Sequence, residues 1–318
     1  MLQVRDLRVH FGGPGRGFAA VDGVSFDLGR GGSLALIGES GSGKSTIALS
    51  LLRLLPAEAV FSGRIELSGK DVLAMREGEL VRLRGAQIAM VFHDPLAALN
   101  PVMRIGTQIA ESLRAHAGMD RRAARARALE LLGSVGLAAA VIDRYPHQLS
   151  GGMRQRALIA MAVACGPGIL VCDEPTSALD PVVQAQIVAL LGQLRRERGI
   201  ALLLATHDLG LAASSCERIA VLYAGRIVER GTPAELLRAP RHPYTAGLLR
   251  SLPPRVGELL DAPLAPVPGA PPPPWARPTG CRFRDRCWRA RADCAEQEPE
   301  LIESAGREVA CFHPLEAP

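Results

Sequence analysis

The chain has 318 residues, of which 48% are hydrophobic, and it carries a net charge of +5 at neutral pH. That length allows one large domain with an appendage and a sizeable core. Aromatic residues make up only 4% and the arginines are dispersed, which argues against nucleic acid as a partner. No apolar stretch reaches the roughly 18 to 20 residues of a membrane-spanning helix. The N-terminus lacks a signal-peptide pattern, so we expect a cytosolic chain unless a partner holds it at a membrane.

The predicted elements alternate between short apolar strands and helical stretches. Apolar patterns predict six strands, at residues 2–11, 24–28, 33–38, 87–92, 168–173 and 200–206. A helical run at 47–55 follows the third strand, and a strandless stretch rich in Ala, Leu and Arg predicts an inserted helical subdomain at about 103–164. This alternation is typical of an α/β fold with a parallel sheet covered by helices.

The composition changes towards the C-terminus. Residues 1–252 are expected to form the large domain, whose last part contains a helix start with a capping box at Thr232–Glu235. Residues 253–280 are rich in proline and predict a partly extended linker. The tail at 281–318 has too few apolar residues to fold unaided, so we expect it to need a staple or a docking surface.

The motif GESGSGKST follows a predicted strand and precedes a predicted helix, which is the context of a phosphate-binding P-loop. Glycine lets backbone N–H groups converge on phosphate oxygens, and the next helix points its positive end at the same anion. Lys44 is expected to reach the β- and γ-phosphates of ATP, and the Ser45 hydroxyl to bind Mg²⁺. The predicted ATP-binding residues in this loop are Gly38, Ser40, Gly41, Ser42, Gly43, Lys44, Ser45 and Thr46.

Two further apolar strands deliver polar residues to the edge where open α/β sheets bind ligands. The strand at 168–173 ends at Asp173, a predicted Mg²⁺ ligand that acts through water. Glu174 is then placed to orient or deprotonate the attacking water. His207 follows the strand at 200–206 and is expected to hydrogen-bond the γ-phosphate.

The segment LSGGMRQR predicts a second anion site at a helix N-terminus, with Ser150 as the N-cap and two glycines that allow close approach. A chain with one P-loop does not need a second site for its own nucleotide. The segment resembles the signature motif of ATP-binding cassette (ABC) ATPases, in which it binds the γ-phosphate of ATP held by the opposite subunit. The resemblance therefore implies a dimer and a role in trans for Ser150, Gly151, Gly152 and Gln155.

The resemblance extends over residues 2–252 and adds two more site residues. SALD matches the D-loop that couples the two sites, with Asp180 as its acidic residue. Phe11 stands where the family places an aromatic ring that stacks on adenine. The family fold has a P-loop core with a mainly parallel sheet, an N-terminal antiparallel β subdomain and an inserted helical subdomain.

The C-terminal part resembles one subfamily. HPYTAGLLRSLP, the proline linker and GCRFRDRC look like the extension of the dipeptide, oligopeptide and nickel importers. The resemblance implies a peripheral subunit at the cytoplasmic face of the inner membrane. Its implied partners are a second ATPase subunit, two membrane permeases and an extracytoplasmic binding protein. The second ATPase is expected to be a different chain, with a second copy of this chain as the alternative. The alternatives are import of nickel or another solute, a soluble ABC ATPase, and a small-molecule P-loop kinase, which leaves Ser150 unexplained.

His93 departs from the family pattern. The family places a glutamine at the end of the strand before the helical subdomain, where it contacts Mg²⁺ and the attacking water. Here MVFHDP places His93 at that position. An imidazole nitrogen can also bind a metal or water, but its reach and protonation differ. The substitution indicates either a specialised hydrolytic site or tolerated variation, and both readings stay open.

The tail contains a cluster of four cysteines, separated by five, six and sixteen residues: Cys281, Cys287, Cys294 and Cys311. In a cytosolic chain such a cluster favours a metal over disulfides. Thiolates suit zinc or iron–sulfur clusters, and the spacing lacks the close pairs of common zinc ribbons. Some members of the resembling subfamily hold a [4Fe–4S] cluster, so iron–sulfur is expected ahead of zinc, with inert thiols as the third alternative. The other cysteines, Cys165, Cys172 and Cys216, lie in apolar surroundings and are predicted to be core residues.

Overall fold

The computed structural model describes residues 1–12, 17–251, 266–304 and 307–316. The strands are β1 (Leu2–Phe11), β2 (Phe18–Leu28), β3 (Ser33–Ile37), β4 (Val60–Leu67), β5 (Lys70–Asp71), β6 (Ile88–Val91), β7 (Ile169–Asp173), β8 (Ala201–Thr206), β9 (Arg218–Tyr223), β10 (Arg226–Gly231), β11 (Ile302–Ser304) and β12 (Arg307–Val309). The helices are α1 (Lys44–Ser50), α2 (Glu77–Leu83), α3 (Pro95–Ala98), α4 (Ile105–Ala117), α5 (Arg121–Ser134), α6 (Gly151–Ala162), α7 (Pro181–Arg198), α8 (Leu209–Ser215), α9 (Pro233–Arg238), α10 (Pro243–Arg250) and α11 (Asp293–Glu296). Within those ranges, no helix combines the length and apolar character of a membrane span.

The central sheet has eight strands in the order β11-β12-β10-β9-β3-β8-β7-β6. Strands β9, β3, β8, β7 and β6 are parallel, whereas β10, β12 and β11 add to the β9 edge in antiparallel pairs. The register pairs Ile37 with Thr206 and Asp173 with Ala205. The ends of β3, β7 and β8 therefore lie side by side, which confirms the mainly parallel sheet expected from the strand pattern.

Both faces of the parallel strands are buried, because successive residues point to opposite sides. On β8, Leu202 and Leu204 pack in the core on one face, whereas Leu203 packs in the core on the other. The first core includes helices α4 to α8, and the second includes α1 and the antiparallel sheet. The continuous apolar runs seen in the sequence are thus the central layer of a three-layer structure.

The N-terminal antiparallel β subdomain is also confirmed, as a four-stranded sheet in the order β2-β1-β4-β5. Strand β2 starts at Phe18, six residues earlier than predicted. Small residues and Gly23 hide its alternating pattern, but pairing with β1 holds the segment extended from Phe18 opposite Phe11. Strand β4 had no sequence prediction, and it is stabilised by antiparallel pairing with β1.

Helices α3 to α6 fill the chain between β6 and β7, where the helical insertion is expected. The insertion's boundaries at 103–164 remain a prediction, as do those of the large domain. Helix α1 differs from its predicted range of 47–55, because it begins at Lys44 and ends at Ser50. Arg53 has a positive φ of 48° and Pro56 follows shortly after, so the chain turns instead of continuing as a helix.

The C-terminal part packs on the central sheet. Strand β12 pairs with β10, with Val309 opposite Glu229, which provides the docking surface expected for the tail. Residues 266–280 of the proline-rich stretch contain no helix or strand, and 253–265 lie outside the described residues. Val267 packs against the core at Gly247 of α10. The described end of the linker is therefore part of the packed structure.

Phe283 is the main apolar anchor of the tail, and its loss should release the tail from the sheet. The ring is 1% exposed and packs edge-on against Tyr223, with ring centres 5.2 Å apart, and against Tyr244 at 5.3 Å. We expect Phe283→Ala to cost about 3 to 5 kcal/mol of stability, because a buried phenyl group is replaced by a cavity. Urea unfolding and limited proteolysis of the tail would measure this.

The matched control is Phe312→Ala, whose ring is 40% exposed. It should leave the urea midpoint and the protease resistance nearly unchanged. Equal sensitivity of the two variants would contradict the anchoring role of Phe283.

Candidate nucleotide-binding and catalytic site

The predicted phosphate loop connects β3 to α1, and two of its glycines are required by the surrounding backbone. A Cβ at Gly38 would lie 2.3 Å from the carbonyl oxygen of Leu222 in β9. Gly43 has a φ of 103°, and a Cβ there would come within 2.9 Å of the Ala20 carbonyl oxygen. The loop is thus pressed against β9 and β2, which fixes its path before any ligand binds.

Lys44 is the first residue of α1, and its side chain is 4% exposed. Its ammonium group donates to the carbonyl oxygens of Gly38 at 2.7 Å and Glu39 at 3.1 Å. It also lies 3.8 Å from a carboxylate oxygen of Glu174. Burial lowers the pKa of Lys44, while the nearby carboxylates oppose the shift. The Lys44 ammonium group is therefore buried inside the loop. The negative charge of a bound phosphate would offset the free-energy cost of removing this cation from water.

Ser45 and Asp173, the two predicted Mg²⁺ ligands, are in direct contact. The Ser45 hydroxyl donates to the Asp173 carboxylate at 3.0 Å. The contact places the Asp173 carboxylate beside the hydroxyl that would bind Mg²⁺ directly, close enough to hold the ion through its bound water as predicted. Burial raises the pKa of Asp173, an effect opposed by the bond from Ser45 and by the charges of His93 and Lys44. A divalent cation would favour the charged carboxylate in the same way.

Glu174 and His207 form the second pair at this edge. The Glu174 carboxylate lies 2.7 Å from Nδ1 of His207. Glu174 has a positive φ of 46°, an uncommon conformation for a residue with a side chain, and its N–H donates to Ala205 of β8 at 2.8 Å. Backbone strain of this kind is characteristic of functional positions. The β7–β8 contact therefore turns the Glu174 carboxylate towards Lys44 and His207.

His93 lies just after β6 and is exposed, directly before Asp94, the N-cap of α3. Val91 lies opposite Cys172 in the parallel β6–β7 pair, so His93 follows β6 at the level where β7 ends in Asp173. The side chain is thus positioned at the same edge of the sheet as Asp173. Its role in hydrolysis remains a prediction.

The signature segment forms the predicted helix N-terminus. Ser150 is the N-cap of α6, and its hydroxyl accepts from the Met153 N–H at 3.3 Å. Ser150 and Gly151 are exposed, and Gly152 lies against Val183 of α7. Gln155 differs because it is only 2% exposed, and its amide nitrogen has no hydrogen-bond partner among the described residues. It is therefore the least accessible of the four residues predicted to act in trans.

Two other predicted residues have structural partners of their own. Asp180 is exposed and caps α7, accepting from the N–H groups of Val182 at 3.1 Å and Val183 at 3.0 Å. The Phe11 ring packs on Phe18 with ring centres 5.8 Å apart. Both residues therefore have partners within this chain. The contact of Phe11 with adenine and that of Asp180 with a second subunit remain predictions.

One contact to the phosphate loop had no signal in the sequence. Glu39, a variable position of the P-loop pattern, forms an ion pair with Arg286 of the tail. The two residues are separated by 247 positions, so neither spacing nor motif indicates that they meet. Only the docking of the tail reveals this contact.

The four tail cysteines line a single small cavity together with His242, Phe283 and His313. Burial raises the pKa of Cys281 and of Cys311 to about 11 in each case. Metal coordination would oppose this shift, because the thiolate is the ligand form. The four side chains line the same cavity and could serve as ligands, which remains a prediction, whereas Cys172 and Cys216 are buried in the core.

Comparison with protein-family models gives two matches. The ABC transporter model matches residues 21–177, which contain the phosphate loop, His93, the signature segment and Glu174. The model of the oligopeptide/dipeptide transporter C-terminal region matches residues 228–294, which contain three of the four tail cysteines.

Curated relatives are similar over nearly the whole length. A dipeptide transport ATP-binding protein of Haemophilus influenzae is 44% identical and covers 99% of this chain, which spans 96% of the relative. An oligopeptide transport ATP-binding protein of Bacillus subtilis is 42% identical, with 98% and 96% covered. The match therefore includes the tail as well as the nucleotide site.

Solved structures agree on the fold. A dimeric ATP-binding cassette in a post-hydrolysis state with ADP and phosphate has a TM-score of 0.66 and 28% identity, covering 73% of this chain and 99% of its own. A Clostridium perfringens cassette that is part of an ABC transporter complex has a TM-score of 0.64 and 29% identity, covering 74% and 89%. The chain belongs to the ABC transporter family of ATP-binding proteins, in the branch with the oligopeptide/dipeptide transporter C-terminal region.

Proposed function

We propose that this ATPase energises the uptake of peptides through an ABC importer. The observation that carries the proposal is the direct contact of Ser45 with Asp173 and of Glu174 with His207, at the edge where Lys44 is buried. Peptide is favoured over nickel or another solute because the curated relatives reported above carry peptide-transport names, and because the matching C-terminal model is that of peptide transporters.

Each residue of the site has a separate role in phosphoryl transfer. Lys44 and the loop N–H groups would hold the phosphates. Ser45 directly and Asp173 through water would hold Mg²⁺, which when bound would supply positive charge against the phosphates. Glu174 accepts the proton of the attacking water. His207 hydrogen-bonds Glu174 in this conformation, so it can orient that carboxylate before it contacts the γ-phosphate.

A second ATPase subunit completes each site. Ser150 and Gly151 are exposed at the N-terminus of a twelve-residue helix, where they can meet the γ-phosphate of a partner's nucleotide. Asp180 sits in the turn that starts at Glu174, and the Ser177 hydroxyl in that turn donates to the Glu174 carbonyl at 3.2 Å. The dimeric cassette among the structural relatives supports this arrangement. Two nucleotides would then lie between the paired subunits.

The remaining partners are two membrane permeases and an extracytoplasmic binding protein, with the ATPase at the cytoplasmic face of the inner membrane. The surface after His93 is suited to the permease contact. Leu96 is 51% exposed and Val102 is 80% exposed, both on the segment that leads from β6 into the helical insertion. Movement of His93 with the nucleotide site would be transmitted to this segment, since Asp94 caps the helix that carries Leu96.

The tail cysteines are proposed to hold a [4Fe–4S] cluster, with zinc as the second choice. All four line one cavity. Among the described residues, the set with three ligand atoms within 4.8 Å of one another is Asp293, Cys294 and His313, not a set of thiols. Iron–sulfur stays ahead of zinc because the sequence lacks the close cysteine pairs of common zinc ribbons.

Replacing Glu174 by Gln tests the proposed function directly. The variant keeps the shape of the side chain but cannot accept a proton, so we expect ATP turnover to fall by at least about 10²-fold while ATP binding persists. Turnover and uptake of a labelled dipeptide, measured in the assembled transporter, should fall together. Uptake that persists in the inactive complex would contradict coupling by this subunit.

The same variant tests the dimer. With hydrolysis blocked, ATP should hold two ATPase subunits together, which size-exclusion chromatography with light scattering would detect. Adding Ser150→Arg should abolish this pairing, because a bulky side chain would occupy the γ-phosphate position. Pairing that survives Ser150→Arg would rule out ATP bound between the phosphate loop of one subunit and the signature segment of the other.

His93→Gln tests the specialised-site reading, in which His93 acts on the nucleotide site from the end of β6, beside the end of β7 at Asp173. Restoring the amide should raise ATP turnover several-fold, since its reach suits both Mg²⁺ and water. The measurement is steady-state turnover in the assembled transporter, with His116→Gln as a control outside the site. Unchanged turnover would support tolerated variation instead.

Anaerobic purification tests the cysteine site. We expect iron and acid-labile sulfide in about a 1:1 ratio at about four each per chain, with broad visible absorption. Cys311→Ser should lose both, and Cys165→Ser should retain them because its half-buried thiol bonds to Ser112 away from the tail. One zinc per chain without iron would reverse the assignment, and a metal-free protein would support inert thiols.

A further inference from the structure

Glu39 connects the phosphate loop to the C-terminal part of the chain through three groups. Its backbone N–H donates to the hydroxyl of Tyr244 in α10 at 3.0 Å. Its carbonyl oxygen accepts from the Lys44 ammonium at 3.1 Å and from the Ser42 N–H at 3.2 Å. Its carboxylate binds Arg286. The first turn of the loop is therefore held from inside by Lys44 and from outside by the C-terminal part.

The Arg286 pair has the geometry of a specific, two-point contact. Its two terminal nitrogens donate separately to the two carboxylate oxygens of Glu39, at 2.6 Å and 2.9 Å. The planar guanidinium fixes direction as well as distance, which a single point charge does not. Hydrogen bonding to Glu39 raises the pKa of Arg286, and the side chain is only 6% exposed. The contact is thus charged and directional, with Arg286 shielded from water and the Glu39 side chain 30% exposed.

The rest of the Arg286 side chain is fixed by the tail itself. Its Nε donates to the Pro268 carbonyl at 2.7 Å, and a terminal nitrogen donates to Gly269 at 3.3 Å. The guanidinium also lies over the Tyr223 ring, 5.7 Å from its centre. Because its other donors are anchored, Arg286 cannot follow the loop freely. Any shift of Glu39 must break its two hydrogen bonds to Arg286 or move the tail.

We infer that Arg286 is a positioning residue for ATP binding: by gripping Glu39 it holds the phosphate loop in its binding conformation. The C-terminal part thereby belongs to the nucleotide site although Arg286 itself does not contact the nucleotide. This inference rests on the proposed ATP site. The role is additional to that site, because Arg286 lies outside every nucleotide-binding motif.

The alternative is that the pair merely docks the tail. A second ion pair separates the two ideas, because Arg230 of β10 forms a two-point contact with Glu308 of β12. Both side chains are about as shielded as the Glu39 pair, at 20% and 22% exposed. It joins the core to the tail at the sheet edge, and its partners do not include the phosphate loop. It therefore docks the tail without positioning the loop.

The test is a double-mutant cycle on the full-length chain, with titration calorimetry of Mg²⁺ and ATP as the readout. Glu39→Gln and Arg286→Met should each weaken ATP binding about ten-fold, because a loosened loop no longer presents its N–H groups in register. The double variant should bind about as weakly as either single one, since all remove the same contact. Glu39→Gln leaves the tail's own residues intact, which covers the case in which Arg286→Met disturbs folding.

The control is Glu308→Gln, which should lower thermal stability while ATP affinity stays within about two-fold of the wild type. Wild-type affinity in Glu39→Gln, or an equal loss in Glu308→Gln, would overturn the positioning role. Additive losses in the double variant would also overturn it. A wild-type chain that does not bind ATP would instead refute the proposed function, so the two failures are distinguishable.

Discussion

The parallel hydrogen-bond ladder of β6, β7, β8 and β3 is the constraint on which the site depends. Parallel strands end at the same edge, so the residue after each strand joins a common cluster. Pairing of Asp173 with Ala205 and of Ile37 with Thr206 sets the level at which Glu174, His207 and Gly38 leave the sheet. The groups proposed as catalytic come from positions far apart in the chain, and this ladder makes them neighbours.

The charged side chains at this edge of the sheet are partly neutralised by polar and charged groups in direct contact with them. The buried Lys44 ammonium has carbonyl oxygens and Glu174 around it, and Asp173 has a hydroxyl donor. Each contact partly offsets the desolvation of its group, yet burial still lowers the pKa of Lys44 and raises that of Asp173. Phosphate and Mg²⁺ supply the opposite charges that would complete the compensation. The site is therefore arranged for a ligand that carries both.

The C-terminal part is joined to the core by three kinds of interaction. Strand β12 extends the central sheet, Phe283 fills an aromatic cluster, and Arg286 binds the phosphate loop. The cysteine cavity lies next to these contacts, because Phe283 lines it and Cys287, another lining residue, directly follows Arg286 in the chain. A segment too poor in apolar residues for its own core is thus stabilised by surfaces that the large domain provides.

The fold class and the motifs of the nucleotide site could be predicted from sequence, because both depend on local patterns. Continuous apolar runs indicated the parallel strands β3, β6, β7 and β8, whereas β9, which is parallel to β3, was not predicted. The P-loop, the signature segment and the Asp173–Glu174 pair each occupy contiguous positions. Strands β2 and β4 were missed or shortened, since antiparallel pairing with β1 overrides their weak local preference. The burial of Gln155, the bond between Glu174 and His207, and the Glu39–Arg286 pair were decided only by the tertiary structure. Contacts of this kind join residues that are distant in sequence, and packing of whole elements, not local propensity, brings them within hydrogen-bonding distance.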